Sequence, residues 1–430
     1  MSTLFRRISR GFLDNRLARN LAWMAGTQMS NRLLRIITTI TAARLLGPEV
    51  FGLAALVLAT NEMVHVLSHG GISGKLIQAS KHEVTGLSDS GYWLNWILCG
   101  SLTLLQIGAA YPIALFYDNP DLLLPIICLA FSYLLLPCGT IQAALLIREN
   151  RLKDIAKVDM SQSLADTLLT LILLLAGFGL WALVLPKLLV VPIWVIQVRR
   201  YHPWRITTTP TLRGWRTIVS FGKHLLWIDL LAALRNNIDY LIIGRFFGVE
   251  ALGIYYFAFN AGLGISQGLL RAATTSLYPH LCELSQQTEQ LLKRALRSTA
   301  LIAIVLVPLI LLQAIAAPYY VPIVFGEQWL ERGAMPLLTL LCLSAIPRIV
   351  TESCSQLLRA CNRPAADSRA QNLFTLGYIG ALLLATNGDL INIAIAVLVS
   401  QLVFAPCFVL WCHQLLRQHS FMQNPLLEKL

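Results

Sequence analysis

Two arginines inside an apolar stretch are the residues of this chain best suited to chemistry. Gln28, Arg32, Arg35 and Thr39 follow one another at spacings of four, three and four, with Asn31 beside them. A helix puts them on one polar face. A guanidinium is a planar fork of donors that grips phosphate oxygens in pairs. Each arginine near a bilayer centre costs about 2.5–3.5 kcal/mol on insertion scales, so two on one face imply water, an anion or a partner. The plainer alternative is that both side chains snorkel to the cytoplasmic interface. Arg32 lies 13 residues past Arg19, roughly 20 Å along a helix, which strains that alternative for Arg35.

Three further stretches carry polar groups at helical spacing. Asn61, Glu62, His65 and His69 put a carboxylate and two imidazoles together, groups able to couple to a cation or relay protons. Hydrogen bonding between helices is the simpler use for them. Arg235 and Asp239 stand four apart and can pair, either as a structural lock or as part of a site, with Asp239 a further candidate for ion coupling. Asn260, Gly264, Gln267 and Arg271 repeat the spacing of the first stretch. Together the four stretches predict a net-basic cavity whose polar lining includes Gln28, Asn31, Thr39, Asn61, Asn260 and Gln267. Such a cavity favours an anion, a phosphate above all. The nine cysteines are scattered without a Cys-x-x-Cys pair, and the His–Glu order of zinc-binding helices is missing. No metal, no cofactor and no catalytic residue is expected.

The elements that must hold these residues are membrane spans. Hydrophobic residues make up 56% of the chain and charged residues 13%, against about 25% charged in a soluble domain. Apolar stretches long enough to cross about 30 Å of hydrocarbon recur along the chain, about twelve in all. They cover 19–43, 50–73, 91–115, 122–147, 158–178 and 180–198, then 216–245, 250–279, 296–318, 334–360, 369–387 and 390–415. Basic residues concentrate in alternate loops, as at Arg148, Arg151, Lys153 and Lys157, whereas 117–121 and 386–389 have none. That positive-inside pattern puts both termini in the cytoplasm and accounts for most of the +12 net charge, so nucleic acid is not an expected partner. The basic segment 1–18 reads as an interfacial amphipathic strip or as a frayed tail, and no signal-peptide cleavage site follows it.

An eleven-residue phrase sets the architecture. Ala43–Leu53 returns as Gly244–Ile254 in the frame Arg, two apolar residues, Gly, one spacer, Glu, two residues, Gly, aliphatic. Pro125 and Pro137 return as Pro336 and Pro347, and with Pro308 and Pro406 they predict kinked helices. The chain therefore reads as an all-α integral membrane protein of two six-helix lobes around a central cavity: 19–198, a cytoplasmic linker 199–215, 216–415, and a tail 416–430. Internal repeats of this size in an apolar chain are a mark of transporters. A membrane enzyme would need a sizeable catalytic loop, and the longest on the far side, near 318–333, has Glu327 and Glu331 as its only acids.

The repeated phrase, Ile72–Gln78, the stretch Asn236–Tyr255, Leu277-Tyr278-Pro279 after Arg271, and Phe325-Gly326-Glu327-Gln328-Trp329 resemble the polysaccharide-transport branch of the multidrug/oligosaccharidyl-lipid/polysaccharide (MOP) flippase superfamily. The resemblance covers nearly the whole chain and is nearest to bacterial O-antigen and exopolysaccharide repeat-unit flippases. It implies a MATE-like fold in the bacterial inner membrane and a cargo of undecaprenyl-diphosphate-linked oligosaccharide, moved from the cytoplasmic to the periplasmic leaflet. By that likeness Arg32, Arg35 and Arg271 would hold the pyrophosphate, with Arg235 partly neutralised by Asp239. Glycan polymerase or glycosyltransferase machinery would be a partner besides the bilayer. Some relatives carry two more C-terminal helices that form a groove for the lipid tail, and this sequence stops short of them. A drug antiporter of the same fold is the alternative, but it would favour an acidic cavity.

Overall fold

The computed structural model describes residues 16–422 apart from 69–70, 80–82, 207–214, 265, 269, 271–276, 278–280, 282–287 and 362. Every regular element among them is helical. The chain packs as two compact units, Met1–Asn237 and Ile238–Leu430.

The first unit runs through α1 (Arg16–Leu45), α2 (Pro48–Ser68), α3 (Ile72–Gln78), α4 (Val84–Phe116), a 3-10 turn (Pro120–Leu122), α5 (Leu123–Ala130), α6 (Ser132–Leu135), α7 (Pro137–Arg148), α8 (Leu152–Leu175) and α9 (Trp181–Tyr201). Helix α10 (Trp215–Phe246) begins in this unit and ends in the next. The second unit continues with α11 (Gly248–Ala258), a π-helical turn (Phe259–Leu263), α12 (Thr288–Phe325), α13 (Gln328–Glu331), α14 (Ala334–Leu343), α15 (Ala345–Ala360), α16 (Pro364–Ala385) and α17 (Leu390–Met422).

Among the described residues, seven helices are long and apolar enough to cross a membrane, or eight if α5–α7 counts as one bent span. Their outward faces agree with that solvent. Leu104, Leu115, Ile172, Ile304, Ile315 and Leu384 are all exposed, an apolar surface too extensive for a protein in water. Helices α1 and α10 fall outside the count because polar residues along them dilute their apolar character. The expected span 250–279 is only partly described.

Each copy of the repeated phrase makes the tight turn that the sequence predicts. Helix α1 ends at Leu45 and α2 begins at Pro48; α10 ends at Phe246 and α11 begins at Gly248. Pro48 suits the first turn of a helix, where its missing N–H has no bond to lose. The kink expected at Pro137 is present. Pro125, Pro137, Pro336 and Pro347 lie in the first turns of α5, α7, α14 and α15, where each opens a new helical segment. The pattern is not symmetric between the units. The chain bends by 55° on entering α7, whereas Ala334–Ala360 passes as one span. Pro308 and Pro406 do lie inside long helices, as expected.

Packing within each unit is conventional for membrane helices. Helix α1 lies along α8, and Thr27 Oγ1 donates to the Ala156 carbonyl at 3.4 Å. Arg148 closes the end of α3 by donating from Nη1 to the carbonyls of Leu76 and Ile77, at 3.0 and 3.1 Å, and to that of Ala79. In the second unit α15 and α16 both pack on α17, and Arg359 reaches the buried Asp367 at 2.8 Å. The Phe325–Trp329 motif has a structural role there. Gly326 takes φ 109°, where a side chain would be strained. The turn it makes carries Trp329 onto Phe257, stacked at 3.9 Å between ring centroids and fully buried.

Candidate functional site

On α1, Gln28 and Arg35 are exposed, and Asn31, Arg32 and Thr39 are half-buried. The spacing that predicted one polar face is realised in a continuous helix. The hydroxyls of Thr38 and Thr39 fold back onto the Arg35 carbonyl at 2.9 and 2.8 Å. Thr39 therefore satisfies its own helix before it can serve a ligand. The Asn31 Oδ1 is buried with no hydrogen-bond partner.

On α2, Asn61 belongs to a joint inside the first unit. The Tyr133 hydroxyl lies 2.9 Å from Asn61 Oδ1, 3.0 Å from the Asn61 carbonyl and 3.0 Å from Gln106 Oε1. Gln106 Nε2 donates to the Ile126 carbonyl at 2.8 Å and approaches Asn61 Oδ1 at 3.4 Å. Four helices, α2, α4, α5 and α6, are thus tied by amide and phenol groups, the hydrogen bonding between helices that the sequence left open for this stretch. The His65 ring sits 6.1 Å from that of Tyr133, and Glu62 on the same helix is exposed. His69 lies outside the described residues.

In the second unit Asp239 is buried, and its carboxylate takes donors from tyrosines. Tyr255 OH donates to Oδ2 at 2.9 Å and the Tyr240 N–H to Oδ1 at 3.0 Å. Arg348 on α15 lies within electrostatic reach of it. Arg235, earlier on α10, is half-buried. Asn260 falls in the π-helical turn and returns its Nδ2 to the Tyr256 carbonyl at 2.8 Å. Gln267, after the turn, is half-buried, and Arg271 lies outside the described residues.

The turn at Phe259–Leu263 changes what the spacing implied. In a regular helix Asn260 and Gln267, seven residues apart, share a face. One extra residue accommodated by a π-turn shifts the two parts of the helix by about 100° relative to each other. The stripe is therefore split in azimuth, Asn260 within the turn and Gln267 beyond it.

Sequence reasoning missed Gln106, Tyr133, Tyr255, Gln313 and Arg348. A lone Gln in the middle of an apolar span is a signal, because hydrocarbon offers it no partner and a neighbouring helix must. Gln106 and Gln313 both fit that description. Nothing local distinguishes Tyr133 or Tyr255 from an ordinary aromatic filler.

With the geometry in place, likeness to known proteins narrows the reading. The model of a family described as polysaccharide biosynthesis protein matches residues 42–333. The teichuronic acid biosynthesis protein TuaB of Bacillus subtilis is 27% identical over 299 residues, 68% of this chain and 60% of TuaB. The succinoglycan biosynthesis transport protein ExoT of Rhizobium meliloti is 26% identical over 337 residues, 76% of this chain and 66% of ExoT. The chain thus spans just under two thirds of the length of these relatives. Among solved structures, the lipid II flippase MurJ in an inward-closed conformation superposes with a TM-score of 0.77 at 10% identity, over 91% of this chain and 87% of MurJ. An inward-facing multidrug resistance MATE family transporter of the MOP superfamily gives 0.73 at 14%, over 93% of this chain and all of that one. At such identities these two establish the fold, an all-α one shared with those two proteins, and nothing narrower.

Proposed function

The chain belongs to the polysaccharide biosynthesis protein family, and from that premise we propose that it is a flippase rather than an enzyme. Its cargo is an oligosaccharide repeat unit linked through a diphosphate to a polyprenyl lipid. It carries this cargo from the cytoplasmic to the periplasmic leaflet of a bacterial inner membrane by alternating access. The observation that carries the reading is the family match across 42–333. The polar face of α1, with Arg32 and Arg35 at spacing three, supplies the chemistry. Two guanidiniums can hold a pyrophosphate bidentately where one ammonium could not. Both termini stand in the cytoplasm in this scheme, as the loop charges require. A membrane potential negative inside then assists the outward passage of an anion by about 2.3 kcal/mol per charge per 100 mV. Glycosyltransferases on the cytoplasmic side would supply the cargo and a polymerase on the other side would consume it. Arg271 and Arg235 are further candidates for the diphosphate, and Glu62, His65 and His69 with Asp239 for coupling to an ion.

The test is reconstitution of the full chain in liposomes with a labelled polyprenyl-diphosphate sugar, in parallel with an organic cation. The flippase reading expects label to cross the bilayer and the cation to stay. A protein that moves the cation and leaves the lipid-linked sugar in place would be a drug antiporter of the same fold.

A further inference from the structure

The π-helical turn of the second unit is gripped from both sides by one side chain of α12. The Gly264 N–H reaches back five residues to the Phe259 carbonyl, the bond that defines the turn. Two carbonyls inside the turn, those of Ala261 and Gly262, also take donors from a neighbouring helix. Gln313, on α12, supplies them: Nε2 lies 3.0 Å from the Ala261 carbonyl and 3.1 Å from that of Gly262. Its Oε1 accepts from Ser266 Oγ at 2.9 Å, on the far side of the turn. Tyr320, two turns along α12, adds its hydroxyl to the Ala261 carbonyl at 3.4 Å. One amide therefore grips the helix before and after the extra residue.

The surroundings leave room for the grip to fail. A cavity of about 320 Å³ opens beside it, with Ser266, Gln313 and Tyr320 as its polar wall and Leu306, Leu309 and Leu312 among its aliphatic residues. The opposite side of the turn is tight. A Cβ on Gly262 would lie 3.1 Å from Leu338 Cγ and 3.3 Å from the Leu338 carbonyl. A freed turn can relax toward α-helical geometry, which rotates the residues that follow by about 100° and pushes them about 1.5 Å along the axis. Gln267 would then face a different direction.

We propose that Gln313 is a positioning residue for transport: it locks the Phe259–Leu263 turn in the π-register and so aims the polar residues that follow it. This rests on the flippase reading above. The corresponding stretch of the first unit has no such device, because α2 is α-helical throughout. A π-turn accommodates one extra residue, so removing a residue at the turn restores a regular helix with the register beyond it unchanged. That gives the proposal a signature that a merely structural hydrogen bond lacks.

The experiment compares four full-length proteins in liposomes: wild type, Gln313→Leu, a deletion of Ala261, and the two changes combined. Each is assayed with the labelled polyprenyl-diphosphate sugar. For the distance readout alone, a separate set in a background freed of native cysteines carries spin labels at Gln267→Cys and Tyr319→Cys, and transport is read on the unlabelled proteins. Gln313→Leu is expected to shift or broaden the label distance by several ångströms and to lower transport at least tenfold. Deleting Ala261 alone is expected to leave the distance unmoved and transport within about threefold of wild type. Combined with Gln313→Leu, the deletion is expected to restore both. An unmoved distance in Gln313→Leu overturns the lock, and a moved distance with full transport overturns the positioning role. If Gln313→Leu does not insert, a deletion of Ala261 that abolishes transport overturns the proposal instead. A wild type that carries no lipid-linked sugar refutes the flippase reading, while the distances still decide whether Gln313 holds the register.

Discussion

Asn61 and Gly262 stand at the same step of the repeat, each 17 residues past the arginine of its phrase, Arg44 or Arg245. The two units solve the same packing problem there with different chemistry. In the first, α2 stays regular and presents the Asn61 side chain, which Tyr133 and Gln106 grip. In the second, the helix offers no side chain at Gly262. It opens its backbone instead and lets Gln313 take the carbonyls. Both joints rely on a lone glutamine inside a neighbouring apolar span, a group that hydrocarbon cannot satisfy. A side-chain joint fixes two helices without changing their register. A backbone joint fixes the register itself, and it can be undone by losing a single amide. A phrase repeated in the sequence therefore does not imply repeated mechanics.

Substitutions at the two joints can break or sharpen this contrast. Gly262→Leu should be the most damaging, because its side chain meets Leu338 and Cys342 at once. Overpacking of this kind costs about 1–3 kcal/mol, read as a lower melting temperature in detergent. The equivalent change in the first unit, Asn61→Leu, should cost less, because it removes acceptors without adding bulk to a closed contact. Equal losses at the two positions would erase the distinction.

Tyr255→Phe comes next. It leaves the buried Asp239 carboxylate without its phenol donor, a loss of about 1–3 kcal/mol for a stranded polar group. Asp239→Asn should be milder, because an amide oxygen can still accept from Tyr255. A variant order of Asn below Phe in stability would contradict the assigned donor. Tyr133→Phe should follow at about 1 kcal/mol, since Gln106 retains the Ile126 carbonyl when the phenol is gone. The smallest effect belongs to Arg332→Ala. Its ion pair with Glu250 is largely exposed, and such pairs contribute about 0–1 kcal/mol before salt screening. A shift of more than a few degrees there would show a tighter contact than the surface position implies.

Much of the scaffold was readable from the residues. The repeated phrase marked both inter-helix turns to within a few positions, because Gly and Pro punctuate helices by sterics that act locally. The prolines were legible in part: the chain bends by 55° at Pro137, whereas Ala334–Ala360 passes as one span. Local rules flag a proline but cannot say whether it opens a segment or interrupts one, and Pro137 and Pro347 open theirs. Helical spacing placed Arg32 and Arg35 on one face, since α1 is regular. It failed for Asn260 and Gln267, where a π-turn held by a residue some 50 positions away decides the azimuth. No periodicity within the stretch records that, because the cause lies on another helix.

The claim that ties these parts to function is that the guanidiniums of α1 receive a diphosphate. Transport of labelled polyprenyl-diphosphate sugar by proteoliposomes carrying Arg32→Ala and Arg35→Ala, singly and together, tests it most directly. The expected result is a loss of at least tenfold in each single variant and no detectable transport in the pair, with melting temperature and membrane insertion unchanged. Wild-type rates in all three variants would contradict it and move the headgroup site away from α1.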